Sequence, residues 1–365
     1  MLKSRLCIAF FAFAVGCAPA QKPLTDYVNP MLGTATLWDS VDLGFKPTKR
    51  TWGAEVFPGS SLPNAMVQVS PVTKFHSGAG YQYEDSVIYG FTHTNKGHWN
   101  LCHIPLLPVT GTPTPGDYCS PFSHERESAA PGYYQVFLDR YGVDAQLSST
   151  LRCAFHKYTY PAGAAASLLA DLQRSNEHVR AWDIRKEGDN VFAGWQQTGE
   201  KMYFYAVANR PVTGIEPVVE GDREVRIVRF GEGDGALELR IGFSFVSEKN
   251  ARENLEAEML GKSFAEVRSE ATATWNDLLG RIRVEGGTER EKGLFYSSLY
   301  RSFLWPALRS DVNGEFTDVD GKVINPGFRY YTGPSYWDDY RNKLILLGML
   351  APDVAADVIS SDTDK

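Results

Sequence analysis

The sequence predicts a large antiparallel β-sandwich followed by a helical segment. Between about residue 60 and residue 247, short runs rich in Val, Tyr and Phe alternate apolar with polar residues and end at Gly, Pro or Asp. This pattern is typical of strands joined by turns. No strong helical pattern interrupts the region, so a sandwich is favoured over a sheet of alternating strands and helices. After about residue 248, apolar residues recur at helical spacing.

The strands are predicted in six stretches, and the turn "DRYG" is expected to join two of them as a hairpin. The stretches are "NAMVQVSPVT", "GYYQVFLDRYGVDAQLSSTLRCAFHKYTYP", "NVFAGWQQ", "KMYFYAVANRPV", "EVRIVRFG" and "ALELRIGFSFVS".

Four helices are predicted after the strands. The first has a capping box, Ser263 with Glu266, and the second has another, Thr288 with Glu291. The third is expected over "YWDDYRNKLILLGML" and the fourth over "PDVAADVIS". The apolar face of the first is expected to hold Phe264, Val267, Ala271, Trp275, Leu278 and Ile282, and that of the second Leu294, Phe295, Leu299, Phe303 and Leu304.

These helices need partners for their apolar faces, and little sequence follows them. Amphipathic helices are stabilised mainly by packing rather than by propensity. We therefore expect the chain to be a fragment, or a truncated reading frame, of a longer protein. Whether the reading frame continues beyond Lys365 in its genome would decide this.

Composition restricts the function classes. A chain of 365 residues is longer than one ordinary hydrophobic core can organise, so two domains are expected. The net charge of −7 and the absence of a basic run argue against a nucleic-acid or anionic-membrane surface. Aromatic residues make up 13%, which suits either core filling or the stacking of rings on sugars. No G-x-G-x-x-G, P-loop or G-x-S-x-G pattern is present, so nucleotide binding and serine-hydrolase chemistry have no support.

The N-terminus is predicted to be a secretory signal peptide over residues 1–20. Lys3 and Arg5 precede an apolar run that is too short to span a membrane, and small residues follow it. Two cleavage modes remain open. "APA" before Gln21 fits ordinary cleavage, whereas "AVGC" resembles a lipoprotein signal with a lipid anchor at Cys17. Both imply a periplasmic, secreted or outer-membrane location.

Three cysteines remain after the signal: Cys102, Cys119 and Cys153. An odd number of cysteines allows at most one disulfide and leaves one free thiol. The alternative is that all three cysteines are small apolar residues of the core.

The loop "GFTHTNKGHWN" concentrates polar side chains after a strand. His93 and His98 are five apart, which is not the spacing of a helical zinc pair. Two interpretations stay open: a polar loop with internally bonded histidines, or a ligand-contacting loop in which Trp99 is a stacking platform.

The stretch "SYWDDYR" places a ring, two acids and a base within seven positions. On one continuous helix, Trp337 and Asp338 would share a face with Arg341. An exposed ion pair is the simpler interpretation. The three groups also suit a sugar. The carboxylate accepts hydrogen bonds from hydroxyls, the guanidinium donates to them, and the ring packs on the C–H face of the pyranose.

Several stretches together resemble glycoside hydrolase family 92, from about residue 25 to the end and in the family's order. They are "DYVNPMLGT", "EVFPGSSLPNAMVQVSP", "GYQYEDSVIYGFTHTNKGHWN", "LLPVTG", "SHERESAAPGYYQVFLDRYGVDAQLSST", "FHKYTYP", "LYRSFLWPALRSDVNGEF" and "YWDDYR".

The resemblance implies a secreted or periplasmic bacterial exo-α-mannosidase that inverts and depends on Ca²⁺. The implied fold is a β-sandwich over 24–247, a helical linker over 248–287 and, over 288–365, the first helices of an incomplete (α/α)6 barrel. Family members are roughly twice as long, so the general acid, the general base and the calcium ligands are expected beyond residue 365.

The resemblance also implies binding residues for an α-mannoside. Trp337, Asp338 and Arg341 match the family's motif at the mouth of the barrel. Phe57, Gly59, His93, His98 and Trp99 match loops that the sandwich sends over the same pocket. Two stretches depart from the family pattern, "HTNKGHWN" for "HTHLSGTG" and Asn64-Ala65 for a phenylalanine-glycine pair, and both bear on linkage preference.

Three hypotheses follow: a fragment of an α-mannosidase of N-glycans or mannans that is inactive alone, a carbohydrate-binding β-sandwich protein without hydrolytic activity, and a truncated product without a function of its own.

Overall fold

The structure is a computed structural model that describes residues 22–36, 44–45, 54–95, 101–233, 235–332 and 336–363. The predicted signal peptide over 1–20, with Cys17, lies outside the described residues, as do His98 and Trp99. None of the described helices is both long and apolar enough to cross a bilayer.

Two large antiparallel sheets form the first part of the described chain, as the sequence predicts. One has seven strands in the order β1-β2-β4-β5-β11-β16-β15, and the other has eight in the order β12-β13-β14-β17-β10-β9-β8-β7. The pairs β3–β6 and β18–β19 form two small sheets. In chain order the strands are β1 Ser60–Ser61, β2 Gln68–Val72, β3 Val87–Ile88, β4 Gly90–Thr92, β5 Leu106–Val109, β6 Ser120–Pro121, β7 Glu127–Ala130, β8 Tyr133–Leu138, β9 Val143–Ser149, β10 Cys153–Thr159, β11 Ser167–Ala170, β12 Ala181–Gly188, β13 Val191–Gln197, β14 Lys201–Ala208, β15 Val212–Glu220, β16 Arg223–Phe230, β17 Leu237–Ser244, β18 Phe316–Thr317 and β19 Val323–Ile324.

The core lies between the two large sheets, and strand β14 illustrates how the sequence directs side chains into it. Met202, Phe204 and Ala206 are fully buried, while the residues between them are half-buried on the other face. This is the period of two that a strand imposes. The predicted hairpin turn after β8 is confirmed: Gly142 has a left-handed φ of 64°, and its amide donates to the Leu138 carbonyl over 2.9 Å.

Helices follow the last strand of the sandwich. They are α1 Glu248–Glu258, α2 Phe264–Leu279, α3 Glu289–Ser302, α4 Tyr336–Asp339, α5 Lys343–Leu350 and α6 Pro352–Thr363. Both predicted capping boxes are present, at Ser263 with Glu266 and at Thr288 with Glu291.

Helices α1 and α2 pack on the outer face of the eight-stranded sheet and along its end. A Cβ at Gly242 would lie 2.1 Å from the Ala251 carbonyl oxygen, so only glycine allows α1 to approach β17 this closely. The indole N–H of Trp275, on the buried face of α2, donates to the Ser61 carbonyl over 2.7 Å. These contacts hold the first helices against the sandwich.

Helix α3 buries only part of the face that apolar spacing predicts. Leu299, Phe303 and Leu304 are buried as expected, but Leu294 and Phe295 are 44% and 36% exposed. Tyr296 and Tyr300 are buried as well. The ring of Tyr296 contacts that of Tyr27, with 5.6 Å between centroids, and the ring of Tyr300 contacts that of Trp275, with 4.3 Å between centroids. Distant aromatic partners therefore determine the face of this helix.

The prediction of one continuous third helix is wrong, because the structure has two helices there. Helix α4 ends at Asp339, and α5 starts at Lys343. The first turn of α5 is closed by the Leu346 amide, which donates to the Asn342 carbonyl over 2.8 Å. The fourth helix is confirmed as α6, with Pro352 at the first position, where its missing N–H costs no helical hydrogen bond.

Cys102 and Cys153 are buried and Cys119 is half-buried, as the interpretation of small buried residues predicts. Burial raises the pKa of the Cys102 thiol to about 12, so this thiol stays protonated and unreactive.

Candidate functional site

The "FPG" turn joins the sandwich to the segment after α3. A Cβ at Gly59 would lie 2.1 Å from the Val69 carbonyl oxygen, so this position accepts only glycine. Phe57 is 2% exposed and belongs to the main core. A few residues on, the Asn64 side-chain amide donates to the Pro306 carbonyl over 2.8 Å. The turn therefore positions the chain around Pro306.

His93 lies in the interior of the sandwich, with no exposed surface. Its Nδ1 lies 3.0 Å from the Ile104 carbonyl, and its Nε2 lies 3.0 Å from Nε2 of His156. Because the carbonyl only accepts, His93 carries its proton on Nδ1 and accepts from His156. The other nitrogen of His156 lies 2.6 Å from the Tyr158 hydroxyl and accepts from it.

Both histidines are neutral. Burial lowers the pKa of His93 to about 3, and burial followed by the nearness of His93 lowers the pKa of His156 far below its usual range. The ring nitrogens of His93 are both used inside the protein. The placement thus matches the interpretation of an internally bonded histidine and does not bring His93 to a surface.

The loop that contains His98 and Trp99 is anchored at both ends, although its residues 96–100 lie outside the described residues. Before the loop, the buried Asn95 donates to the Gln68 carbonyl over 2.8 Å. After it, His103 lies 3.0 Å from the hydroxyl oxygen of Thr198, at the end of β13. The contact with sugar proposed for His98 and Trp99 stays a prediction.

In the "YWDDYR" stretch, Trp337 is 89% exposed. Arg341 is also exposed, and its Nε donates to the Tyr340 hydroxyl over 2.6 Å. Asp339 is 6% exposed, and its carboxylate lies 3.3 Å from the ammonium of Lys343. The side chain of Asp338 lies outside what the structure describes.

The helical-face argument for this stretch is wrong. It requires one helix from Trp337 to Arg341, but the helix ends at Asp339, so the spacing of three and four residues no longer aligns side chains. The ring of Trp337 and the guanidinium of Arg341 are nevertheless both open to solvent and accessible to a ligand.

A buried polar cluster connects the sandwich, α1 and the segment after α3. The Asp311 carboxylate, 2% exposed, accepts from the Ser244 hydroxyl at 2.6 Å and from the amides of Asn254 at 2.7 Å and Asn250 at 2.9 Å. Burial raises the pKa of Asp311, and these hydrogen bonds oppose the shift. Beside it, Arg152 donates to the Ser310 carbonyl over 2.8 Å. The cluster fixes the position of the 309–311 segment.

A cavity of about 520 Å³ opens next to that segment, and sequence reasoning missed it. It lies between the turn after β13 and the β18–β19 hairpin. The side chain of Arg309 lines it and forms an ion pair with Glu200, with 2.9 Å between Nη2 and Oε2. Arg309 stands within the quoted stretch "LWPALRSDVNGEF", but nothing in its local pattern marks it as a binding residue.

Among the described residues, no group of three His, Cys, Asp or Glu side chains is arranged to hold a metal ion.

Comparison with known proteins gives two family matches. The model described as the glycosyl hydrolase family 92 N-terminal domain matches residues 27–254, and the one described as the family 92 catalytic domain matches residues 250–365. A curated relative, an uncharacterized secreted glycosidase of Arthroderma benhamiae, is 24% identical in an alignment of 344 residues. The match covers 79% of this chain and 42% of the relative.

Solved structures agree with these matches. A family GH92 α-mannosidase of Bacteroides thetaiotaomicron superposes with a TM-score of 0.84 at 26% identity, covering 93% of this chain and 49% of that chain. A family GH92 inverting mannosidase of the same species, strain VPI-5482, gives a TM-score of 0.80 at 26% identity, covering 93% and 48%. The first enzyme is also similar in its complex with mannoimidazole. The chain thus spans about half the length of these relatives.

Proposed function

The chain belongs to glycosyl hydrolase family 92, and from this premise we propose that it forms the sandwich and first barrel helices of a secreted, exo-acting, inverting α-mannosidase. The observation that carries the proposal is the superposition on a family GH92 α-mannosidase, with a TM-score of 0.84 over 93% of this chain. An inverting mannosidase is among the similar structures, which supports the stereochemical part. The proposed substrates are α-linked mannosides of N-glycans or mannans.

The proposed domain boundaries are 24–247 for the sandwich, 248–287 for the helical linker and 288–365 for the start of the catalytic barrel. In support, the last sandwich strand ends at Ser244 and α1 begins at Glu248. The two family matches also meet at residues 250–254.

The role proposed for the described part is to bind and orient the sugar. The exposed ring of Trp337 offers an apolar face for the C–H side of a pyranose, and the guanidinium of Arg341 offers donors for its hydroxyls. Asp338 is proposed as the acceptor, by its match to the family motif. Phe57 and Gly59 keep the turn beside Pro306 in place, whereas His98 and Trp99 are proposed to contact the sugar directly.

The chemical step is proposed to need the C-terminal part that the longer relatives carry. Inversion uses a general acid and a general base about 6.5–9.5 Å apart, with a water between the base and the sugar. We propose that these carboxylates, and the ligands of the calcium ion that the family implies, belong to that part. The 365-residue polypeptide by itself is therefore proposed to be inactive.

The proposed location is secreted or periplasmic, and a lipid anchor at Cys17 is the alternative to a soluble exported form. The curated relative is described as secreted, which supports export.

The test is release of mannose from an aryl α-mannoside and from α-1,2-mannobiose, with and without Ca²⁺. It uses the 365-residue protein and the same protein extended through a complete C-terminal domain. The extended protein should release mannose as the β-anomer, detected by NMR early in the reaction, and the 365-residue protein should release none. Release of the α-anomer would contradict inversion, and lack of hydrolysis by the extended protein would contradict the mannosidase. Rapid release by the 365-residue protein would contradict its inactivity.

A second candidate, mannoside binding without hydrolysis, applies to the 365-residue polypeptide. It is favoured by the 89% exposure of Trp337, which leaves a ring accessible without the rest of a barrel. The same assay, followed by a binding measurement with methyl α-mannoside, separates it from a protein that does neither.

A further inference from the structure

The cavity beside Arg309 lies where the sandwich meets the segment after α3. From the sandwich, its wall includes Glu200, Lys201 and Tyr203, and from the later segment it includes Arg309 and Asp318. Ligand sites occur preferentially at such boundaries between domains, with volumes of about 300–1,000 Å³. The volume here, about 520 Å³, falls within that range.

Arg309 is a largely enclosed cation in the cavity wall. Its side chain is 13% exposed, and its guanidinium carbon lies 3.8 Å from the centroid of the Phe245 ring. Its Nη2 forms an ion pair with the carboxylate of Glu200. Nε is buried and finds no hydrogen-bond partner within the described part of the chain. Since Nε has no accessible surface, a ligand in the cavity would meet the Nη side of the guanidinium, whose N–H groups form a rigid fork of donors.

The charges in the cavity wall balance. Arg309 and Lys201 are cations, and Glu200 and Asp318 are anions, so the wall favours a neutral ligand over a phosphate or a nucleotide. Carboxylates and cations side by side supply both acceptors and donors, which is the pattern that neighbouring hydroxyl groups require.

Apolar surface complements these charges. Lys201 lies 3.6 Å from the centroid of the Trp195 ring and 5.0 Å from that of Tyr203, which holds its ammonium over the aromatic face. Val319 and Val323 also line the cavity, and they are 78% and 51% exposed. Rings and aliphatic groups of this kind pack on the C–H face of a pyranose.

We propose that this cavity is a saccharide subsite, which binds a sugar unit of the mannoside other than the one that contacts Trp337. The inference rests on the proposed function for the identity of the sugar. Arg309 donates to the sugar hydroxyls through the Nη groups of its guanidinium. Glu200 and Asp318 accept from them, and Tyr203 with the two valines packs on the ring.

The test is calorimetric titration of the 365-residue protein with α-linked mannobiose and mannotriose. Arg309→Gln should weaken mannotriose binding by about tenfold or more, the loss expected when a charged hydrogen bond is removed. Lys201→Ala should weaken it several-fold, and because Lys201 is partly exposed this variant leaves the core intact. The matched control is Lys157→Ala, which removes a lysine that also lies over an aromatic ring, Phe264 at 5.7 Å, but does not line the cavity.

Equal affinity in the protein, Arg309→Gln and Lys201→Ala would overturn the inference, as would an equal loss in Lys157→Ala. If Arg309→Gln fails to fold by circular dichroism, Lys201→Ala decides alone.

The subsite and the proposed function fail in different ways. Absence of saccharide binding by the 365-residue protein, together with mannose release by the extended protein, would overturn the subsite and leave the mannosidase standing. Binding of gluco-oligosaccharides but not manno-oligosaccharides, with the same dependence on Arg309, would support a saccharide site and contradict the mannosidase.

Discussion

Replacing Asp311 by alanine should loosen the junction between the sandwich and the helices more than any exposed substitution. The carboxylate accepts from Ser244, Asn250 and Asn254. Asn254 cannot turn its amide around, because its Oδ1 accepts from the Val312 amide at 2.9 Å and its nitrogen also donates to the Phe243 carbonyl at 2.7 Å. Alanine therefore leaves buried donors without an acceptor.

The magnitude follows from the number of donors that are left unpaired. A buried unsatisfied group costs about 1–3 kcal/mol, so three such groups cost about 3 kcal/mol even at the lower end of that range. For a domain of about 150–250 residues, each kcal/mol lowers Tm by about 2–4 °C. Asp311→Ala should accordingly lower Tm by about 6–12 °C in a thermal melt followed by circular dichroism. The control is Asp222→Ala at an exposed turn, which should lie within about 0.5 kcal/mol of the unsubstituted protein.

The pH dependence gives a second, independent measurement. Burial raises the pKa of Asp311 above its usual 3.8, so the folded protein holds this proton more tightly than the unfolded chain. This contribution to stability is complete below pH 3.8 and is lost as the pH rises through the raised pKa. The difference in Tm between the protein and Asp311→Ala should therefore widen as the pH is lowered from 7 towards 4. A Tm drop under about 2 °C, which corresponds to less than about 1 kcal/mol, or a difference that narrows with acid, would refute this account of the cluster.

Other substitutions test the turn, the motif and the C-terminal helices. Gly59→Ala should lower Tm markedly because its Cβ would lie 2.1 Å from a carbonyl oxygen, whereas Gly214→Ala, which meets nothing within 4 Å, should not; equal effects would contradict the close approach. In the extended protein, Asp338→Ala should lower kcat/KM about tenfold or more, as expected for a lost charged hydrogen bond to the sugar. Asp339→Ala should instead lower Tm, because it breaks a buried ion pair with Lys343, and a larger loss of kcat/KM at Asp339 would reverse these roles. Limited trypsin digestion, followed by mass spectrometry, should cut first after the exposed Arg341 and leave the sandwich intact; early cuts within the sandwich strands would contradict the predicted order of local stability.

Most of the fold was predictable because its signals are local. The capping boxes at Ser263 and Thr288 involve residues three positions apart, so the sequence alone identifies where α2 and α3 begin. The alternation in β14 likewise follows from the geometry of one strand. The candidate site was less accessible to this reasoning, since residues such as Phe57 and Gly59 entered through resemblance to a family, and Arg309 carries no local pattern at all.

The sequence by itself determined the order of sandwich and helices, the two helix starts and the family resemblance. Tertiary structure alone decided that His93 is an interior residue, because its partners Ile104 and His156 are 11 and 63 positions away. It also decided which face of α3 is buried and that the helix through Trp337 breaks after Asp339. Propensity and capping act within one turn of the chain, whereas burial and the pairing of buried polar groups depend on segments that meet only after folding.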